Sequence, residues 1–238
     1  MAQLNAEYGS ELHLLRMLGR HRTFLDRSVC EAMKADAVEW QDFPSGEKHT
    51  EAGAESAWDR EWQRLDFLPD GDLAKAGWPT VWPAHRQGQS WDAIGRVTIG
   101  GAREWLLVEA KANIEELKSS CGAADPVSRD LIERTLADTK RAIGVAPDCD
   151  WLSGYYQFCN RLVVLRWLNE NGAPARLLYI YFTGDKGDNG DKRRRTCPAA
   201  PGDWNDALDA RDAYLGMQPG HALEGRMHKV FIDVRARG

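Results

Sequence analysis

The sequence has few cysteines and no long hydrophobic run, and each absence excludes a class of protein. Its 238 residues include 5 cysteines and no CxxC pair, which excludes a disulfide scaffold and a zinc ribbon. No apolar run approaches the roughly 18 residues that span a membrane. The first residues also lack the basic and apolar regions of a secretion signal. We therefore expect a cytoplasmic protein that makes no contact with a membrane.

Several common catalytic motifs are absent as well. The chain contains no GxSxG nucleophile elbow, no phosphate-binding GxxxxGK[ST] loop and no HExxH zinc motif. Residues 185–190 resemble the start of a calcium loop, but its third position is Gly187 and its twelfth is Thr196. The chemistry must therefore come from residues that the fold brings together.

The net charge of −5 is unevenly distributed, and this matters for the choice of partner. Residues 36–72 carry eleven acidic and three basic residues, a local charge of −8, so the rest of the chain sums to +3. Basic residues gather on the first predicted helix, which includes Arg16 and Arg20, and in a late loop with Arg193, Arg194 and Arg195. These two patches are candidate phosphate contacts, although basic runs are more often solvated surface.

The apolar pattern predicts one α/β domain over residues 1–238, with a mixed sheet covered by helices on both faces. The run 104–110 is apolar on both sides, which is typical of a central strand. Predicted helices cover 10–34, 56–67, 127–143, 154–170 and 204–215, and predicted strands cover 80–82, 91–99, 104–110, 176–182 and 230–234.

A predicted hairpin brings three charged residues together. If Gly100-Gly101 is a two-residue turn, Asp92 faces Glu109, and Lys111 lies on the same side of the sheet. A four-residue turn would place Asp92 opposite Lys111 instead. Opposed carboxylates on a central strand are destabilising, and a divalent cation between them would remove the repulsion. The alternative is a longer turn, with the three residues on a solvated edge of the hairpin.

Asp92, followed after 17 residues by Glu109-Ala110-Lys111 at the end of an apolar strand, resembles the PD-(D/E)xK nuclease superfamily. Segments 9–16, 91–95 and 155–161 resemble a bacterial branch of it. Trp91 stands where the superfamily has proline. The resemblance implies a restriction-endonuclease-like αβββαβ core with an additional C-terminal helix and strand. It also implies Mg²⁺, with Mn²⁺ as a substitute, held by Asp92, Glu109 and the Ala110 carbonyl, and Lys111 as the catalytic lysine.

Three further residues are candidates through this resemblance. Glu11 shares a face with the apolar residues of the first helix and would be an added metal ligand, or simply a first-turn acid that serves the helix dipole. Gln157 would assist catalysis and Arg161 would contact nucleic acid, since both lie on the helix after the catalytic strands. The alternative for this pair is ordinary surface polarity.

These observations predict a Mg²⁺-dependent nuclease, with DNA as the expected substrate and RNA left open. A second class is a catalytically silent nucleic-acid-binding or protein-interaction module on the same scaffold. A third is an acidic module in which segment 36–72 binds a basic partner. A homodimer is left open.

Overall fold

The computed structural model describes residues 9–49, 55–84, 88–186 and 195–236. In these ranges the elements, in chain order, are α1 (Ser10–Arg20), α2 (Arg22–Met33), β1 (Ala37–Trp40), β2 (Ser45–His49), β3 (Glu55–Asp59), β4 (Trp62–Gln63), α3 (Leu73–Gly77), β5 (Ser90–Trp91), β6 (Ala93–Ile99), β7 (Ala102–Lys111), α4 (Pro126–Ile143), α5 (Tyr156–Glu170), β8 (Ala175–Thr183), α6 (Asn205–Leu215) and β9 (Met227–Asp233). Among the described helices, none combines the length and apolar composition that a membrane crossing requires.

A mixed five-stranded sheet forms the centre of the fold, with the strand order β1-β6-β7-β8-β9. The first three strands are antiparallel neighbours, whereas β8 runs parallel to β7 and β9 runs parallel to β8. Two parallel neighbours require crossovers, and the long connection from β7 to β8 contains α4 and α5. The predicted α/β class with a mixed, helix-flanked sheet is confirmed.

The β6–β7 hairpin has the turn that the sequence predicts. Gly100 and Gly101 have φ values of 56° and 80°, which a two-residue hairpin turn of type I′ requires and which glycine adopts without steric cost. Ile99 pairs with Ala102, and the register continues without a slip to Ala93 opposite Val108.

Both faces of β7 are covered, as its sequence predicts. Leu106 and Val108 pack in a core with α1 and α2, while Trp105 and Leu107 pack in a second core with α4 and α5. Helix α5 is buried on most of its circumference. The central strand β7 therefore lies between two helical layers. Helix α1 contacts β7 on one face of the sheet, and α5 contacts the neighbouring strand β8 on the other face.

Capping residues mark the ends of α4. The Asp125 carboxylate accepts the Ser128 N–H at 2.8 Å at the start of α4, Pro126 takes the first helical position, and Gly144 ends the helix with φ 78°. The predicted helix 10–34 is instead two helices, because His21 leaves the helical conformation with φ −125° and ψ 35°.

Two other predicted elements are wrong. The predicted strand 80–82 is a 3₁₀ turn and bend, since Pro79 lacks a ladder donor and Trp82 folds back to stack on Trp78 with ring centroids 5.9 Å apart. Strand β1 is the third antiparallel strand in its place. The predicted helix 56–67 is replaced by β3, β4 and a turn, because Arg64 adopts a left-handed φ of 49° that a helix interior excludes.

Candidate functional site

A β-bulge at Asp92 shapes the centre of the site. Asp92 donates its N–H to the Val108 carbonyl at 3.2 Å, and Val108 also faces Ala93, so two residues of one strand oppose one residue of the other. The core packing agrees, because Trp91 and Ile94 lie in the same core although residues three apart in a regular strand point to opposite faces. The bulge therefore takes Asp92 out of the alternation and out of the predicted position opposite Glu109.

The Asp92 carboxylate lies against the end of β7. Its Oδ2 accepts the Ala110 N–H at 2.6 Å. Burial, together with the nearby negative charge of Glu109, raises the pKa of Asp92 to about 7, although Lys111, the Ala110 N–H and Arg161 oppose the shift. The charges of the two carboxylates thus interact, as the sequence predicts, but without direct cross-strand pairing.

Glu109 is a buried carboxylate held by two cations. Its side chain is only 2% exposed. Oε1 accepts a hydrogen bond from Lys111 Nζ at 2.5 Å. Oε2 accepts a hydrogen bond from Arg161 Nε at 2.9 Å and forms an ion pair with Arg161 Nη2 at 2.8 Å. Burial alone would raise the pKa of Glu109, but Arg161 and Lys111 outweigh it and hold the pKa below its ordinary value. Glu109 is therefore ionised at neutral pH.

Lys111 and Gln157, two of the candidate catalytic residues, are in direct contact. Lys111 Nζ donates to Gln157 Oε1 at 3.0 Å in addition to its bond with Glu109. Gln157 lies in the first turn of α5 and is itself held in place, because its backbone N–H donates to Ser119 Oγ at 2.7 Å. Burial opposes the charge on Lys111, but Glu109 and Asp92 raise its pKa, so the ammonium keeps its proton.

Arg161 has a different place from the one that the sequence suggests. We expected a nucleic-acid contact, but the residue is interior, with 2% of its side chain exposed. Besides Glu109, its guanidinium donates to Asn160 Oδ1 at 2.8 Å and to the Ser90 carbonyl at 2.5 Å, and it lies 4.6 Å from the centroid of the Trp91 ring. With these contacts the guanidinium stabilises the ionised carboxylate of Glu109.

Glu11 and Asp92 line one cavity of about 110 Å³ between α1 and the sheet. Arg60 and Glu61, on the connection from β3 to β4, line the same cavity, and sequence reasoning missed both. Nothing in the acidic segment 36–72 indicates that these two residues lie near Asp92, because only the tertiary fold of that segment brings them there. Glu11 is therefore connected to the candidate site through the cavity that it shares with Asp92.

The predicted ligand set fits a hard divalent cation in part. Asp92 has a second carboxylate oxygen beyond the one bound to Ala110, and Glu109 Oε1 accepts only one described hydrogen bond and keeps a lone pair. Tyr179, the neighbour of Glu109 across β7 and β8, also buries a hydroxyl without a hydrogen-bond partner among the described residues. Within the described ranges, however, no three His, Cys, Asp or Glu side chains are grouped closely enough to hold a metal ion.

The other predicted nucleic-acid residues are only partly described. Arg16 donates from Nη1 to the Val234 carbonyl, which ties α1 to the end of β9, and Arg20 is exposed in the last turn of α1. Arg193 and Arg194 lie outside the described residues. Arg195 lies near Glu115 and helps to lower the pKa of that carboxyl, after the hydrogen bonds from Thr196 and the Glu115 N–H.

The structure thus brings together most of the predicted site at the end of β7. The residues joined by direct contacts are Asp92, Glu109, Ala110, Lys111, Gln157 and Arg161. Sequence comparison found no family model and no curated protein that matches this chain, and structural comparison found no solved structure that matches its fold.

Proposed function

We propose that this chain is a metal-dependent phosphodiesterase of the PD-(D/E)xK type that hydrolyses DNA. The observation that carries the proposal is the cluster at the end of β7, where Lys111 binds the buried Glu109 and the Asp92 carboxylate accepts the N–H of the intervening Ala110. Burying two acids and a lysine at a sheet edge costs free energy, and a hydrophobic cluster of equal size would hold the strands at less cost. Such costly groups collect at catalytic sites.

The order of elements supports the same proposal. The elements α2, β1, β6, β7, α5 and β8 occur in an order compatible with the αβββαβ core that the sequence resemblance implies, with further elements inserted between β1 and β6 and with α4 before α5. The bulge at Asp92 also favours a site, because bulges re-aim side chains next to active sites.

In this proposal each side chain has a distinct role. Asp92, Glu109 and the Ala110 carbonyl would hold Mg²⁺, which when bound would polarise the scissile phosphate and activate water. Lys111 directs its protonated Nζ toward the charge that develops on the phosphoryl oxygens. Gln157 holds that Nζ in place through its Oε1, and Glu109 keeps it protonated. Arg60, exposed at the shared cavity, would contact the substrate backbone.

A catalytically silent nucleic-acid-binding module is the second candidate, and one observation favours it. Arg161 and Lys111 together occupy both oxygens of Glu109, which leaves limited capacity for a metal ion.

A cleavage assay separates the two candidates. Wild type would be incubated with single- and double-stranded DNA and RNA in Mg²⁺, Mn²⁺ or EDTA, beside Lys111→Ala and the control Lys75→Ala. Lys75 lies in α3, pairs with the exposed Asp70 and takes no part in the site. We expect DNA cleavage that needs metal and that Lys111→Ala reduces at least 10²-fold, with Lys75→Ala active. Binding without cleavage by wild type would favour the silent module, and equal cleavage by all three proteins would contradict the assigned site.

A further inference from the structure

The ion pair between Arg161 and Glu109 limits which oxygen atoms of Glu109 can bind a metal ion. Oε2 of Glu109 accepts a hydrogen bond from Arg161 Nε, and Arg161 Nη2 lies 2.8 Å from the same oxygen as an ion pair. Oε1 accepts a hydrogen bond from Lys111. Arg161 therefore covers Oε2 with two nitrogen atoms, and Oε1 is the oxygen of Glu109 that has more capacity for a metal ion.

Arg161 cannot easily release this oxygen, because other contacts fix its guanidinium. It donates to the Asn160 side chain and to the Ser90 carbonyl, and its guanidinium lies over Trp91. Ser90 and Trp91 form β5, which directly precedes the bulge at Asp92. The same cation therefore holds Glu109 from one side and the strand that carries Asp92 from the other.

The charges of the cluster sum to zero without a metal when all four side chains are ionised. Asp92 and Glu109 contribute two negative charges, and Lys111 and Arg161 contribute two positive charges. A divalent cation entering this cluster meets two resident cations in a region where solvent screens charges weakly.

We propose that Arg161 is a positioning residue that serves as the internal counter-ion of Glu109 in the metal-free protein and competes with a divalent cation for that carboxylate. This inference rests on the proposed function, because it assumes that Glu109 is a metal ligand. Arg161 thereby keeps the site folded without metal and weakens metal binding in exchange. Removing its charge frees Oε2 and removes a repulsion, and both effects strengthen metal binding.

Direct Mn²⁺ titration of the full chain without nucleic acid tests this inference, with bound Mn²⁺ measured by electron paramagnetic resonance. Arg161→Met keeps an unbranched apolar side chain over Trp91 but removes the charge. We expect it to bind Mn²⁺ at least tenfold more tightly than wild type, a difference of about 1.4 kcal/mol. Arg161→Lys keeps the charge and should stay within about threefold of wild type. The matched control is Arg211→Met, which removes another buried arginine that binds Asp212 and the Tyr181 hydroxyl.

Equal or weaker Mn²⁺ binding by a folded Arg161→Met, or equal strengthening by Arg211→Met, would overturn the counter-ion role and leave the nuclease proposal standing. No Mn²⁺ binding by any variant would overturn both. If Arg161→Met folds only when Mn²⁺ is present, the metal replaces the counter-ion and the inference is supported. If it stays unfolded in millimolar Mn²⁺, the inference is overturned. A wild type that binds Mn²⁺ but cleaves nothing removes the nuclease proposal alone.

Discussion

The pKa of Asp92 predicts an unusual dependence of stability on pH. Asp92 titrates with a pKa of about 7 in the folded protein, whereas an aspartate in an unfolded chain titrates near 3.9. The folded state therefore binds this proton more tightly than the unfolded state. The free energy of unfolding should fall as pH rises from about 4, and the whole cost should be present above about pH 7.

The size of the effect follows from the shift. A difference of about three pKa units corresponds to about 4 kcal/mol, an upper value because a buried carboxylate relaxes its surroundings. Asp92→Asn removes the ionisation and keeps an oxygen that accepts the Ala110 N–H. At pH 8 in EDTA we therefore expect the variant to be more stable than wild type by up to about 4 kcal/mol. At about 2–4 °C per kcal/mol for a chain of this size, its Tm should rise by about 10 °C.

Urea unfolding followed by circular dichroism, at half-unit steps from pH 5 to pH 8, measures this difference. Groups that both proteins share cancel in the difference, and the pKa values of Glu109 and Lys111 are shifted away from this range, the first downward and the second upward. Asp130→Asn, which changes an exposed acid paired with Arg134 on α4, should follow wild type at every pH. A variant less stable than wild type at pH 8, or a difference that does not change with pH, would refute the reasoning.

Two further predictions concern the sheet and the basic loop. Gly95→Ala should lower the free energy of unfolding by about 1–3 kcal/mol, because its Cβ would lie 2.9 Å from the Glu39 carbonyl oxygen and push β1 away from β6. The control Gly19→Ala, whose Cβ would meet nothing within 4 Å, should not destabilise the protein, and urea unfolding that ranks the two variants the other way would contradict this packing. Replacing the three arginines at 193–195 by alanine should flatten the slope of log K against log [salt] for duplex DNA by about 0.9 for each phosphate that the loop no longer neutralises, and an unchanged slope in a binding titration would assign the loop to solvated surface.

The sequence predicts the centre of the fold well because its signals there are local. Gly100-Gly101 fixes the turn, and the register from Ala93 to Ile99 follows from it. Helices α4 and α5 and strand β8 lie within two residues of their predicted bounds, since each has a clear apolar pattern and a stop signal such as Gly144. Where a short-range rule decides the structure, the sequence is sufficient.

The errors lie where tertiary contacts override local preference. Strand β1 is four residues long and half-buried at best, so its apolar pattern is too weak to separate it from a loop. Segment 56–67 has tryptophans at helical spacing, but Trp62 pairs with Trp91 in the small β4–β5 sheet. The spacing of the tryptophans therefore predicts the wrong secondary structure for this segment.

The sequence predicts which residues belong to the candidate cluster, but it does not predict the contacts among them. The hairpin spacing is sufficient to select Asp92, Glu109 and Lys111, but the bulge that separates Asp92 from Glu109 leaves no local signal. The burial of Arg161 depends on Trp91 and Glu109 from two other elements, so its helix alone indicates a surface residue. The contribution of Arg60 depends on a fold of the acidic segment that the apolar pattern does not predict.

The bulge has a consequence for how such a site could arise and be lost. If Asp92 were deleted, Trp91 would directly precede Ala93 in regular alternation and would still point into the core that contains Ile94. Both cores would keep every side chain that they have now, and the ladder would gain a regular pair. The regular ladder of β6 and β7 is thus complete without Asp92, which occupies the extra position of the bulge. A one-residue deletion at this position would therefore remove the carboxylate that the proposed site requires while the apolar side chains of both cores keep their faces.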